Sequence, residues 1–359
     1  MSLLFLHFKF DYMSTFYKLT IQQIIKETKD AVSILFNVPA DLKDKFQFIA
    51  GQYITLKATI QGEEVRRAYS ICASPKSNQL KVAVKAVENG KFSTFATTQL
   101  KEGDELEVAV PEGKFTLTPE DNKNYIAFTA GSGITPVLSM IKSVLEDSLS
   151  TFTLVYGNRS IDTTIFYNDL NLLQQEYPKR FNLHYVYSRE RQENTLFGRI
   201  DRGHVNYFVK NLYKETSFNA AFLCGPEEMI ELASETLEEN GLDKKVIYFE
   251  LFTASTTDEN TDQIKEGEAE ITVLLDDQET SFTMKQTDTI LAASLRNKLD
   301  APYSCQGGVC SSCIAKITEG KAVMTKNSIL TDGELEEGLV LTCQAHPTTQ
   351  KVVVDFDDV

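Results

Sequence analysis

Short runs in which apolar and polar residues alternate fill the first third of the chain. Ala31–Val38, Tyr53–Ile60, Leu80–Val87 and Glu105–Val110 are such runs, and a period of two is that of a half-buried strand. Glu102-Gly103-Asp104 and Pro111-Glu112-Gly113 supply turn residues between or just after them. The spacing predicts an all-β domain over residues 15–118, a barrel or a sandwich. From residue 119 to 252 the rhythm changes. Apolar stretches at Asn124–Thr129, Thr151–Tyr156, Phe181–Tyr187, Phe218–Cys224 and Val246–Phe252 alternate with amphipathic ones, clearest at Pro136–Leu145 and Glu227–Glu239. That order predicts βαβ units on a parallel sheet, with ligands at the carboxyl ends of its strands.

Residues 253–268, TASTTDENTDQIKEGE, hold no aromatic and one aliphatic side chain. They cannot bury enough surface to order themselves and are expected to be a linker, with a reach of roughly 20–24 Å as a flexible coil. A unit of about ninety residues, an ordinary small-domain size, follows over 269–359. Its strands are predicted at Ala269–Leu275 and Glu279–Lys285 around an Asp276-Asp277 turn. A helix is predicted over Thr289–Lys298 and a closing strand near Lys351–Phe356.

Composition narrows the functional classes. The 359 residues carry a net charge of −15, which argues against nucleic acid or an anionic membrane surface as partner. Six cysteines are too sparse for a disulfide scaffold and suit a reducing cytoplasm. The apolar run in MSLLFLHFKFDY is too short to span a bilayer. Residues 1–14 are expected to be an extension, with the folded part beginning near Thr15.

Four cysteines cluster. Cys305, Cys310 and Cys313 form C-x4-C-x2-C, and Cys343 follows in Leu341-Thr-Cys-Gln. This is the spacing of a plant-type 2Fe–2S cluster. Gly307 and Gly308 let backbone amides approach sulfide closely, and Ser304, Ser311 and Ser312 can donate further. A structural zinc site is the other reading, although such sites usually present two short ligand pairs.

Two further motif sets lie upstream. Arg67-Ala-Tyr69-Ser70 ends a strand, and Val84-Lys85 leads into Gly90-Lys91-Phe92-Ser93-Thr94. The latter suggests a helix N-terminus whose amides and hydroxyls bind a pyrophosphate. Thr129-Ala-Gly131-Ser132-Gly133-Ile-Thr135-Pro136 joins a strand to a helix; it is not the Rossmann fingerprint, but its glycines still admit a phosphate. Arg159, Ser188 and Arg189 follow strand ends where an adenosine would lie. Two arginines favour NADPH over NADH, and solvated loop charges are the alternative. Cys224-Gly225-Pro226 closes another strand, where a core cysteine is the plainer account, and Cys72 is expected to be packing.

In this order the motifs resemble the ferredoxin-NADP reductase superfamily, and the three-part layout resembles its single-chain oxygenase reductases. The resemblance implies an antiparallel β-barrel flavin domain, an α/β parallel-sheet nucleotide domain and a β-grasp ferredoxin domain. It implies that Arg67 neutralises the flavin phosphate, Tyr69 packs on the flavin ring and Ser70 hydrogen-bonds near its reactive nitrogen. Cys224 and Gly225 would lie on the nicotinamide side, and Phe252 would cover the flavin face. Ser70, Cys224 and Phe252 are then the candidates nearest the chemistry. The implied cofactors are FAD, with FMN as the alternative, a 2Fe–2S cluster, and NADPH or NADH as co-substrate. Hydride enters from the nicotinamide, and single electrons leave through the cluster to an oxygenase. The strings R-A-Y-S-I-C-A-S-P, G-K-F-S-T-F and L-T-C-Q-A-H-P resemble most the reductases of the phenylacetyl-CoA epoxidase type, in phenylacetate degradation. Steroid 9α-hydroxylase reductases and others share these motifs. A non-enzymatic redox sensor is the reading from another class.

Overall fold

A computed structural model describes residues 16–252 and 261–359. The chain divides into two compact units, the first ending at Ser255 and the second running to Val359. No helix among the described residues is long and apolar enough to cross a membrane.

The first unit opens with six antiparallel strands, β1 (Tyr17–Thr28), β2 (Ala31–Asn37), β3 (Tyr53–Ile60), β4 (Glu63–Ser70), β5 (Leu80–Lys85) and β6 (Glu105–Val108). Their order is β4-β3-β6-β1-β2-β5, and a bridge between Ile71 and Val82 joins the outer strands into a barrel. Helix α1 (Lys91–Thr98) covers one end, its Phe92 and Ala96 buried in the barrel core. One of these strands escaped prediction, and another was anticipated only at its Arg67–Ser70 end. β1 buries only Leu19 and Ile21, and a register shift between Ile21 and Gln23 breaks its alternation. β4, EEVRRAYS, is largely polar.

A parallel sheet follows, of β7 (Asn124–Ala130), β8 (Thr151–Asn158), β9 (Phe181–Tyr187), β10 (Leu196–Phe197), β11 (Ala220–Cys224) and β12 (Ile247–Glu250), ordered β10-β9-β8-β7-β11-β12. Its helices are α2 (Ile134–Asp147), α3 (Tyr167–Glu176), α4 (Arg202–Asn206), which runs into a π-helical turn, and α5 (Glu227–Glu239). The last strand stops at Glu250, so Phe252 lies beyond it. Barrel and sheet share one core. Ala50, Cys72, Phe115 and Leu117 of the barrel side pack with Met140, Tyr125 and Phe222, and the Phe115 and Phe222 rings meet edge to face at 5.9 Å. Ser139 Oγ, buried on α2, donates to the Ala73 carbonyl at 2.6 Å. Cys72 is fully buried, its thiol pKa pushed up to about 12 by burial, which makes it a packing residue and not a nucleophile.

The second unit is a mixed sheet with its own core. Its strands are β13 (Glu268–Leu275), β14 (Gln278–Lys285), β15 (Ile314–Glu319), β16 (Ala322–Met324), β17 (Leu339–Leu341), β18 (Ala345–Pro347) and β19 (Lys351–Asp355). Five are ordered β14-β13-β19-β15-β17, while β16 and β18 pair separately. The parallel β13–β19 pair at the centre, with α6 (Ile290–Arg296) packed on the unit, is the β-grasp arrangement. A short α7 (Asp332–Glu336) precedes β17. Of the expected linker 253–268, residues 253–260 lie outside the described residues, as does the expected extension 1–14, and Glu268 already opens β13.

Gly51 sits on the seam between barrel and sheet at φ +103, and a Cβ there would meet the Phe115 carbonyl at 2.1 Å and Met140 Cε at 2.6 Å. We expect Gly51→Ala to lower unfolding free energy by about 2 kcal/mol or more, read as a fall in urea midpoint with the slope unchanged.

Candidate functional site

β4 delivers the first group. Its partner β3 pairs Tyr53 with Ser70 and Leu56 with Arg67. Arg67 is exposed and donates to the Arg66 carbonyl at 2.6 Å. Tyr69 lies 5.5 Å from the Phe92 ring, and burial holds its phenol well above the ordinary range. The R-x-Y-S strand end and the helix α1 start are therefore neighbours. Gly90 caps α1 without a side-chain bond, leaving its first-turn amides without intrahelical acceptors. Val84 and Phe92 are 0% and 1% exposed in the barrel core, so only their backbone can face a cofactor. Ser93 Oγ accepts from the Val87 amide at 3.2 Å and so builds the turn. Lys91 is ion-paired with Glu63, and Thr94 is exposed.

The second group surrounds the loop between β7 and α2. Gly131 takes φ +58, and Tyr156, buried on β8, donates its hydroxyl to the Gly131 carbonyl at 2.9 Å. Thr129 Oγ1 donates to the Cys224 carbonyl at 2.7 Å. A Cβ on Gly133 would stand 2.1 Å from that carbonyl oxygen, and one on Gly225 would meet Met229 Cε at 2.6 Å. The loop thus lies directly on the Cys224-Gly225 turn. Thr135 Oγ1 donates to the Ser132 carbonyl, and Ser188 Oγ to the Asn158 carbonyl. The hydroxyls of Thr129, Thr135 and Ser188 each donate to a protein carbonyl and so help to shape these loops.

Lys85 leads toward this loop, its Nζ 3.7 Å from the Cβ position of Gly131. Burial first, and then the Arg159 charge, holds its pKa below the usual lysine value, with Asp30 opposing. Arg159 and Arg189 are exposed on adjoining strand extensions, the Arg189 amide donating to the Arg159 carbonyl at 2.9 Å. A partly buried lysine facing an arginine is relieved by an anion, and a dinucleotide's phosphates fit that need.

The two groups meet at the end of β12. Ser70 Oγ donates to Glu250 Oε2 at 3.4 Å. Burial raises the Glu250 carboxyl to about 8, with the Ser70 bond opposing. Cys224 is fully buried, and burial, then the Glu250 charge, raises its thiol. Ser70, Cys224 and Glu250 are thus gathered from β4, β11 and β12, and Phe252, 40% exposed, follows two residues later. Sequence reasoning missed Glu250: no local pattern marks a strand's last residue as facing a serine 180 positions away.

In the second unit Cys305 and Cys310 interact through their sulfurs, as do Cys313 and Cys343. The Gly307 amide donates to Cys305 Sγ at 3.3 Å. Its Cys310 contact and backbone amides hold Cys305 below the ordinary thiol range, whereas the Cys313–Cys343 contact and burial raise Cys313. Two sulfur pairs side by side suit two irons. Ser304 Oγ, beside Cys305, is buried with no hydrogen-bond partner among the described residues, and a cluster sulfur would supply one. The residues therefore fit the cluster.

This geometry defines a flavin- and nucleotide-dependent oxidoreductase joined to an iron–sulfur unit. Residues 18–117 match the oxidoreductase FAD-binding domain, 128–235 the oxidoreductase NAD-binding domain and 273–348 the 2Fe-2S iron-sulfur cluster binding domain. The chain belongs to the family of FAD-, NAD- and 2Fe–2S-domain oxidoreductases that includes a component of the 1,2-phenylacetyl-CoA epoxidase of Escherichia coli. It is 40% identical to that component over 96% of its own length and 99% of the relative's. It is also 31% identical to the ferredoxin reductase component of 3-ketosteroid-9-alpha-monooxygenase from Rhodococcus rhodochrous, covering 94% of this chain and 96% of the relative. In fold it resembles the solved structure of phthalate dioxygenase reductase, with a TM-score of 0.60 at 24% identity over 95% of this chain and 98% of that one.

Gly133→Ala should push the loop off the Cys224 carbonyl, weakening nucleotide binding by at least about tenfold while flavin content stays. Titration of bound nucleotide beside the flavin absorbance checks both halves. Glu250 binds a proton more tightly folded, at about 8, than at its ordinary 4.5. Its contribution to stability is complete below the ordinary value and is lost as pH rises through about 8. Cofactor-free protein should lose stability over that window, and Glu250→Gln should flatten the profile in denaturant titrations.

Proposed function

We propose that the chain takes electrons from NADPH and delivers them singly, through FAD and a 2Fe–2S cluster, to an oxygenase component, of which a phenylacetyl-CoA epoxidase is the first candidate. The observation that carries this reading is the meeting of Ser70 with Glu250 beside Cys224, which joins flavin-side and nicotinamide-side motifs in one body. The relative's name, and the near-complete coverage of its length, support the choice of partner. When bound, the flavin accepts a hydride's two electrons together and releases them one at a time, as a 2Fe–2S cluster requires.

The residues have separable tasks. Arg67 and the α1 amides hold the flavin's phosphates, while Lys85 and the Gly131–Gly133 turn hold the nucleotide's. Arg159 and Arg189 grip the extra ribose phosphate that distinguishes NADPH. Tyr69 and Ser70 orient the flavin ring, and Ser70 Oγ shares its hydrogen with Glu250 Oε2. Burial raises both the Glu250 carboxyl and the Cys224 thiol, which favours their neutral forms beside an incoming nicotinamide. Phe252 would cover the flavin face and would have to move aside for a nicotinamide to stack there. Cys305, Cys310, Cys313 and Cys343 ligate the cluster. Residues 1–14, 15–118, 119–252, 253–268 and 269–359 serve as extension, flavin domain, nucleotide domain, linker and ferredoxin domain, in a cytoplasmic setting that keeps the thiols reduced.

Reconstitution with candidate oxygenase components tests the reading. Oxidation of phenylacetyl-CoA coupled to NAD(P)H consumption is expected with the epoxidase component, and uncoupled consumption with every partner would overturn the assignment. Phe252→Ala should change the hydride-transfer rate and the NADPH-to-NADH ratio more than flavin content, measured by stopped-flow reduction. Unchanged kinetics with lost flavin would remove Phe252 from that role.

A further inference from the structure

Behind the three-cysteine loop, Gln344 reaches in from the turn between β17 and β18, next to Cys343. It is 8% exposed, and so nearly buried. Its Nε2 donates to the Gln306 carbonyl at 3.1 Å and lies 3.6 Å from Cys343 Sγ. Its Oε1 accepts from Thr325 Oγ1, itself buried, at 2.9 Å. Because a carbonyl oxygen and a sulfur can only accept here, the amide's orientation is fixed: nitrogen toward the loop, oxygen toward Thr325. The backbone repeats the tie, the Thr325 amide donating to the Gln344 carbonyl at 3.0 Å. Gln306, whose carbonyl is held, takes φ +54 without being glycine, a conformation that costs energy and needs support. Gly308, at φ +75, leaves the space that Gln344 fills, since a Cβ there would meet Gln344 Cγ at 3.2 Å.

We propose that Gln344 is a positioning residue of the cluster site, clamping the strained Gln306 carbonyl of the loop and donating an N–H to the sulfur of Cys343. This rests on the reading of the four cysteines as 2Fe–2S ligands. An N–H aimed at a ligand sulfur stabilises the reduced cluster more than the oxidised one, because reduction adds negative charge there; the donor therefore raises the potential. Holding the loop slows iron loss, as outer-shell contacts do at other metal sites.

The test uses the full-length holoprotein. Iron, sulfide and zinc contents of the wild type come first, and a colourless zinc form would overturn the cluster reading itself, separately from Gln344. In Gln344→Leu, which keeps bulk and removes both donors, the cluster's midpoint potential should become more negative, with altered EPR anisotropy. Iron loss to a chelator should be about tenfold faster. Thr325→Val should move both readings the same way by less. If Gln344→Leu does not load, Gln344→Glu, which keeps the Thr325 contact without an N–H, carries the same measurements. A fully loaded Gln344→Leu or Gln344→Glu with wild-type potential and iron-loss rate overturns the proposal. If neither loads, an impaired Thr325→Val upholds it and a wild-type-like Thr325→Val overturns it.

Discussion

The packing of the barrel against the parallel sheet is the constraint on which the flavin and nucleotide sites depend. Phe115 and Phe222 meet across it, Ser139 ties α2 to the Ala73 carbonyl, and Gly51 is small because the Phe115 carbonyl occupies the space a side chain would need. Hydride transfer demands reacting atoms within near-contact distance and in alignment. A hinge between two separately packed domains would leave that distance to chance, whereas one shared core fixes the end of β4 against the ends of β11 and β12. The Ser70–Glu250 contact is the local expression of that seam.

The nucleotide loop shows how much of a site is spent on holding itself. Thr129, Thr135 and Ser188 carry hydroxyls that suit phosphate or ribose, and each is engaged with a protein carbonyl instead. What remains for a ligand is backbone amides, two glycine-made spaces and the Lys85–Arg159 charges. This division follows from the geometry of close approach. A backbone can come near a phosphate only where side chains are absent, so neighbouring side chains must hold the turn open.

Features legible in the sequence were those encoded locally. The three-cysteine loop, the glycine-containing turn after β7 and the parallel-sheet rhythm each lie within a short window. β1 was not legible because a bulge after Ile21 interrupts its period, and β4, whose residues are mostly polar, was legible only at its Arg67–Ser70 end. Val84 and Phe92 stood in motif positions yet point into the barrel, since a motif gives residue identity and the strand pleat decides direction. Glu250 and Gln344 were missed for a common reason: the serine facing one and the threonine facing the other come from distant segments.

Glu250 and Gln344 represent opposite solutions to placing a polar group in a buried site. Gln344 has each side-chain hydrogen-bonding atom directed at a partner, so burial makes its network more directional and its loop more rigid. Among the described residues Glu250 has only a long bond from Ser70, and burial drives it toward the neutral acid. A satisfied amide fixes geometry across the pH range, whereas an under-satisfied carboxyl retains a proton and responds to whatever charge arrives beside it. On the proposed reading, a cluster that needs constant ligand geometry through each electron would be backed by the first kind. On the same reading the flavin side, where a charged nucleotide would enter and leave at every turnover, would be backed by the second.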